Sequence, residues 1–449
     1  MRLMGHAGSD VELAYRTMSQ IRESEDRDPL FMSARLLVEN GVLGRAALRD
    51  RYESHREAIA RLADDAASRP KLSSAEEVIA PLAPRRPELV RAEATRPLDA
   101  AARASFWSDV RPETEGPLAL APAIGRALGE LCVRYPELLA FGEDVARKGG
   151  VYGVTRGLQK RAGPARVFDT LLDEQSILGL ALGAAQHGLL PVPEIQYLAY
   201  LHNAEDQLRG EAASLRFFSQ GQFQNPMVVR IAGLAYQKGF GGHFHNDNSL
   251  SVLRDIPGIV VAVPSRAEDA QSMLHTCVAA AKADGTVCVF LEPIALYHTR
   301  DLHADGDGLW ASRHAPVPAH VPIGEPRLYA QGADLLIVTF GNGVPMSLRA
   351  ARRLEKEGVR ASVLDLRWLA PLPVERVLEH ARAYGKILFV DETRRSGSVS
   401  EGLVAGLIDA GFAGPMRRVT SRDTFVPLGD AANLVLVSED DVVAAARGL

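Results

Sequence analysis

Two places in this 449-residue sequence carry residue types that could move protons. The first is Glu174, within FDTLLDEQSILGLALGAAQHGLLPVPEIQYLAY (168–200). The stretch reads as a strand-end acidic turn (Asp173, Glu174), then an Ala/Gly/Leu helix too smooth to face water. Gly188 stops that helix, and a second strand begins at Pro193. A carboxylate at a helix start, flanked by apolar residues, can share a proton with a ring nitrogen. The helix macrodipole alone also favours an acidic residue there, so a structural role stays open. The second place is the loop AGLAYQKGFGGHFHNDNSL (232–250), where Gly239, Gly241 and Gly242 precede His243 and His245. Glycines this dense fit a mobile or closely approached backbone. Two histidines in such a loop are either surface polar residues or reacting groups.

The elements that must position these residues alternate between helix and strand. From 116 to about 310, the helix APAIGRALGELCVRY leads to the strand LLAFGED, and QNPMVVRIA, IVVAVP and VCVFLE follow the central stretch as strands. Between the last two, Ser265 and Glu268 read as a capping box, and Ala270, Met273, Leu274, Cys277 and Ala281 recur at helical spacing. Strand, helix and strand with short joints predict a right-handed parallel crossover. Residues 325–449 repeat the pattern with DLLIVTFGNG, VPMSLRAARRLEKEG, ASVLDLRWL, VERVLEHARAYG and ILFVDE. Gly341 and Gly343 do not make a dinucleotide fingerprint, because Met346 stands where the third glycine belongs. The expected fold is α/β, two doubly wound domains with a helical N-terminal extension. In that extension (1–65), Asp10 reads as the N-cap of VELAYRTMSQIRE, and a second helix covers ALRDRYESHREAIARLADDAA. Residues 66–115, rich in Ala, Pro, Arg and Glu, read as a linker.

Composition narrows the function. A net charge of -5 gives no electrostatic footprint for nucleic acid, and the 12 histidines are scattered rather than grouped as metal ligands. No stretch approaches the roughly 20 apolar residues that span a bilayer, so no membrane partner is expected. Cys132, Cys277 and Cys288 are isolated thiols in apolar contexts, which suggests core residues in a reducing compartment, by default the cytoplasm. A small-molecule or protein partner remains.

The stretch 168–200, together with FGEDVARKGGVYGVTRGL (141–158), resembles the beta subunit of the thiamine diphosphate-dependent 2-oxo acid dehydrogenases, and the resemblance extends over 116–449. It implies a pyrimidine-binding domain (116–310) followed by the carboxyl-terminal domain shared with transketolases (325–449). In this family the Glu of the "DT…E" segment bonds the aminopyrimidine ring of thiamine diphosphate, and only Glu174 fits that place. Tyr200 falls where an aromatic lies against the aminopyrimidine face. Counted back from Pro257-Gly258, His245 aligns with the histidine that helps pass the acyl group to the lipoyl thiol, with His243 as its rival. The family has Ser-Gln after this histidine, whereas Asn246-Asp247 follow here, and the acidic neighbour is expected to act on the imidazole. Asp284 closes a helix where relatives hold a monovalent cation such as K+, although Thr286 replaces the Asn two positions on.

Residues 4 to about 65 resemble the tail of the partner alpha subunit. GHAGSDVELAYR (5–16) resembles its loop near the cofactor diphosphate, with His6, Asp10 and Arg16 in the matching positions. Ala7 stands where eukaryotic relatives have a phosphorylatable Ser. The family binds the diphosphate and Mg2+ through a Gly-Asp-Gly followed by an Asn in the alpha subunit. The only Gly-Asp-Gly here, 306–308, sits in a polar loop and reads as chance. The resemblance therefore implies a partner, either a separate alpha-type subunit or the lost N-terminal half of a fused enzyme, together with a lipoyl acyltransferase core and self-association. EIQYLAYLHNAEDQL (194–208) and LEPIALYH (291–298) resemble branched-chain members more than pyruvate members. The competing readings are a non-catalytic assembly subunit, a pyruvate- or acetoin-type dehydrogenase, and a transketolase or deoxyxylulose phosphate synthase relative.

Overall fold

Six of the strands run parallel because each is joined to the next by a crossover long enough to bring the chain back in the same direction. In chain order they are Leu138–Gly142, Val167–Asp169, Leu190–Ile195, Met227–Gly233, Ile259–Ala262 and Val287–Pro293. Across the sheet their order is second, first, third, fourth, sixth, fifth. The third strand starts three residues before Pro193, because Pro191 and Pro193 still take part in the pairing with the first strand. The computed structural model describes residues 3–108, 110–237, 241–329 and 332–449.

The strands are buried on both faces, as a helix-covered parallel sheet requires. Alternation sorts their side chains. Val228, Val260, Ala262, Cys288 and Phe290 face the helices Leu120–Arg134 and Ala267–Asp284, while Val229, Ile231, Val261, Val289 and Leu291 face the opposite layer. That second layer contains the helix Glu174–Gln186, through Ile177, Leu178 and Ala181, and one face of a second sheet. In the second sheet, Leu335–Thr339, Ala361–Asp365, Ile387–Arg394 and Met416–Ser421 run parallel, and Arg327–Leu328 is antiparallel at one edge. Its far face packs Leu335, Ile337, Val363 and Leu388 against the helices Gly343–Glu355 and Glu439–Arg447. The two sheets thus share one apolar layer.

Four local expectations differ from what is observed. The run ASVLDLRWL is two strands rather than one. After Ala361–Asp365 the chain turns at Arg367 (φ 59°), and Trp368–Ala370 joins the edge of the first sheet antiparallel to Ile259–Ala262. Ser265 and Glu268 form no capping box. The N-cap of the helix from Ala267 is Arg266, without a side-chain cap, and the Ser265 carbonyl accepts from the Trp310 indole at 3.1 Å. Asp10 caps no helix, since only the short turn Glu12–Ala14 follows it. Its carboxylate accepts from the His6 backbone N–H and the Tyr15 hydroxyl, and the helix Met18–Glu25 is capped instead by Thr17 with Gln20.

The fourth difference is the stretch read as a linker. Pro87–Ala94 and Ala100–Trp107 are helices that pack on the first domain. Val90 and Ala94 enter its core beside the helix Ala267–Asp284. Arg103 binds Glu130 and Glu113, and Trp107 is 3% exposed, lying against Gly129. Short Ala-rich helices with one or two anchoring residues give too little periodicity to be read from sequence. The described part of Met1–Val78, a separate unit, is helical (Met18–Glu25, Pro29–Glu39, Arg45–Ser68) and buries only Ser24. It has no core of its own.

Trp107→Ala should lower unfolding stability by about 3–5 kcal/mol, measured as a shift of the urea midpoint. A true linker residue would change it by less than about 0.5 kcal/mol.

Candidate active site

Where strand order reverses in a parallel sheet, the crossovers on either side leave a crevice at the carboxyl ends of the strands. Here the reversal lies at the first strand, Leu138–Gly142, which has the second and third strands as its neighbours. Glu143 follows the first strand directly. Thr170 to Glu174 follow the second, and Gln196 to Asn203 follow the third.

Glu174 is the first residue of its helix. The N-cap is Asp173, whose carboxylate accepts from the Ser176 N–H at 3.2 Å. Glu174 is therefore free of capping duty. It is 6% exposed, and its Oε2 accepts from Asn203 Nδ2 at 3.1 Å. Glu143 lies close by: burial, then the charges of Asp144 and Glu174, hold its carboxyl above the ordinary range. Burial raises the Tyr200 phenol as well, and the charges of Glu143 and Glu174 add to that shift. Glu143, Glu174 and Tyr200 thus share one acidic, aromatic-walled recess.

His245 enters the same recess. Its ring stands edge to face with Tyr197 at 4.6 Å and Tyr200 at 6.4 Å between centroids, and its Nδ1 lies 3.3 Å from the Gly241 carbonyl. Tyr197 reaches Tyr152 through their hydroxyls at 3.0 Å. The Gln237 amide comes within 2.8 Å of the Tyr152 hydroxyl, while the Gln237 N–H donates to Asn246 Oδ1 at 2.9 Å. His243 points elsewhere, its ring tilted against Phe244 at 4.1 Å and Phe425 at 4.8 Å between centroids, beside an open cleft of about 870 Å³. Of the two histidines, His245 belongs with Glu174 and Tyr200. Gly239 lies outside the described residues.

Asp247 is directed away from the recess. Its carboxylate meets Arg394 at 3.3 Å and the Ser249 hydroxyl, with His202 at 4.0 Å. Glu143, Tyr152, Tyr197 and Gln237 are further members of the site that sequence reasoning did not single out. The position of Glu143, immediately after a strand in FGED, was the available signal.

The remaining candidates separate from this group. Asp284 is surrounded by partners from the protein itself. Its carboxylate is fully buried and accepts from the Arg85 and Arg86 backbone N–H groups at 2.6 and 3.3 Å. Both Arg86 and Arg216 also approach it at 3.3 Å. Two guanidinium groups thus place positive charge against this carboxylate. His6 lies in the N-terminal unit with its side chain exposed. In the 306–308 Gly-Asp-Gly, the Asp307 carboxylate accepts from the backbone N–H groups of Leu302, His303, Ala304 and Leu309. It is turned into its own loop. Among the described residues, no group of three or more His, Cys, Asp or Glu is arranged to hold a metal ion.

The chain matches the transketolase pyrimidine-binding domain over residues 117–298 and the transketolase C-terminal domain over 324–442. A solved structure described as a split gene transketolase, inactive beta4 tetramer, aligns with TM-score 0.57 at 21% identity, covering 74% of this chain and 98% of that one. The architecture is thus the transketolase-like two-domain α/β fold. The chain is also 33% identical over 321 residues to the pyruvate dehydrogenase E1 component subunit beta of Bacillus subtilis (strain 168), covering 69% of this chain and 91% of that one. To the subunit of the same description from Staphylococcus epidermidis it is 33% identical over 341 residues, covering 74% and 98%. It belongs to the family of beta-type subunits of thiamine diphosphate-dependent 2-oxo acid dehydrogenases.

Asp284→Asn leaves the buried Arg216 without its counter-charge and should cost about 3–5 kcal/mol in chemical denaturation. The thermal midpoint of the unmodified chain should be the same in KCl and LiCl at equal ionic strength. A rise specific to K+ would restore a cation to Asp284.

Proposed function

We propose that this chain carries the aminopyrimidine half of a thiamine diphosphate site, and that it takes part in decarboxylating a 2-oxo acid and passing the acyl group to a lipoyl thiol. The observation that carries this reading is the convergence of Glu174, Tyr200 and His245 on the crevice at the strand-order reversal. The recess suits the ring, because the buried Glu174 and the half-buried Glu143 offer carboxylates to an aminopyrimidine and Tyr200 offers an aromatic face. Thiamine diphosphate supplies the electron sink that decarboxylation needs and that no side chain provides.

Each residue then has a defined task. Glu174 holds a proton shared with the ring nitrogen, and Asn203 fixes the direction of its carboxylate. Tyr200 packs against the ring, with Tyr197 and Tyr152 behind it. His245 moves a proton at the acceptor thiol during acyl transfer. The diphosphate and Mg2+ fall to an alpha-type half, to which His6 belongs. Association with that half, self-association, docking to a lipoyl acyltransferase core and a cytoplasmic setting belong to the same proposal.

The substrate is the finer part of the proposal. The segments that favour a branched-chain oxo acid owe much of their character to Glu194 and Glu292, yet both carboxylates are committed to Arg230, and Glu292 also accepts from Tyr297 at 2.6 Å. These are groups of the interior. The relatives reported above are pyruvate dehydrogenase subunits. Pyruvate and 3-methyl-2-oxobutanoate are therefore the pair to compare, with a preference for the latter supporting the branched-chain reading.

Calorimetric titration with thiamine diphosphate and Mg2+ should show saturable binding only when the chain is mixed with an alpha-type subunit. Glu174→Gln should reduce turnover of the mixture by at least about 100-fold. Tight binding by the chain alone would place a diphosphate site within it, and no binding in either case would favour a non-catalytic assembly subunit. His245→Ala should lower acyl transfer to lipoamide by about 100-fold while leaving decarboxylation with an artificial electron acceptor largely intact. Equal losses in both assays would remove His245 from the transfer step.

A further inference from the structure

The loop that brings His245 to the recess leaves and rejoins the first domain at two feet, and Glu392 of the second domain is bonded to the exit foot directly and to the entry foot through Asn342. At the entry foot, Leu234 and Tyr236 follow the strand Met227–Gly233 with φ of 68° and 73°, a left-handed conformation that non-glycine residues hold only when their surroundings fix it. Leu234 and Ala235 are fully buried. Asn342 reaches this foot, its Nδ2 lying 3.4 Å from the Ala235 carbonyl. Asn342 is itself held by Glu392, with its backbone N–H 2.9 Å from Oε1 and its Nδ2 2.8 Å from Oε2.

At the exit foot, Asn248 Nδ2 donates to the Glu392 backbone carbonyl at 2.7 Å. That residue is three positions past His245 and 1% exposed. The Glu392 carbonyl also accepts from Ser421 Oγ at 2.9 Å, which anchors it to the neighbouring strand. Glu392 is 2% exposed, and burial pushes its carboxyl up to about 8 while the Asn342 bonds oppose that rise. The fit extends to Gly341, where a Cβ would lie 2.7 Å from Glu392 Oε1 and 2.9 Å from Leu234.

We propose that Glu392, together with Asn342 and Asn248, forms a clamp that positions the His245 loop, so that the carboxyl-terminal domain sets the geometry of acyl transfer. The Asn342 side chain holds the entry foot and the Glu392 main chain holds the exit foot. Displacing either foot moves His245 relative to Tyr197 and Tyr200 without touching Glu174, whose support comes from Asn203. The catalytic consequence rests on the role given to His245 above, whereas the mechanical one does not.

The test uses Asn248→Ala, which removes one donor at the exit foot, with Asn342→Ala as the independent variant at the entry foot. In the full chain, hydrogen exchange over 241–250 should accelerate about tenfold, with exchange in the strand Met227–Gly233 unchanged. In the enzyme reconstituted with an alpha-type subunit, either variant should lower acyl transfer to lipoamide about tenfold and decarboxylation with an artificial acceptor less than about twofold. Unchanged exchange over 241–250 in both variants would overturn the clamp. Accelerated exchange with equal loss of both activities would overturn its specific link to acyl transfer. If the unmodified mixture lacks 2-oxo acid turnover, the function proposed above fails, and the exchange measurement still decides the clamp.

Discussion

A single buried guanidinium orders the centre of the first sheet. Arg230, on the strand Met227–Gly233, binds Glu292 through Nε at 2.7 Å and Nη2 at 3.0 Å, and Glu194 through Nη1 at 2.6 Å. The two carboxylates come from the strands on either side, and all three groups are buried. Strands that are apolar on both faces give little guidance on register, because a slip exchanges one apolar residue for another. Here a slip would separate three buried charges, and removing one partner of such a pair costs about 3–5 kcal/mol. The ion triad therefore selects one alignment from several that the hydrophobic pattern would accept.

That alignment determines where the chemistry falls. Glu194 pairs opposite Arg230, and Ile195 pairs opposite Ile231. The third strand consequently ends where Gln196, Tyr197 and Tyr200 reach the reversal crevice. On its other side it pairs with the first strand up to Gly142, next to Glu143, and the first strand pairs with the second up to Asp169. The carboxylates and aromatics of the recess are thus consequences of strand register. Alternating side chains do the rest, since residues at odd and even positions serve different layers.

The larger outline was legible in the sequence because strand and helix periods differ and the crossovers are short. Glu174 was legible because a helix start can be read locally, and the loop of His243 and His245 was legible from its glycines. Choosing between the two histidines needed the fold, because Tyr197 and Phe425 lie at very different sequence separations and only tertiary structure shows which ring meets which. The partners of Asp284 were hidden for the same reason: Arg86 and Arg216 are remote in sequence. The helices Pro87–Ala94 and Ala100–Trp107 escaped notice because they depend on Val90, Ala94 and Trp107 rather than on a sustained apolar stripe. Residues 361–369 looked like one strand because the turn at Arg367 has no glycine or proline to mark it.

The loop feet bear on whether the second domain serves only for assembly. Holding Leu234 and Tyr236 at positive φ costs on the order of 1–3 kcal/mol each. The second domain contributes the Asn342 contact with Ala235. It also contributes the Val437 carbonyl, which accepts from the Tyr236 hydroxyl at 3.2 Å. If the domain were only a docking module, a relaxed loop entry would serve equally well and would avoid the strain. The strained entry instead sends Gln237 toward Tyr152, joining the loop to the aromatic wall of the recess. Local strain beside His245, fixed from a separate domain, makes the recess a property of both α/β layers together.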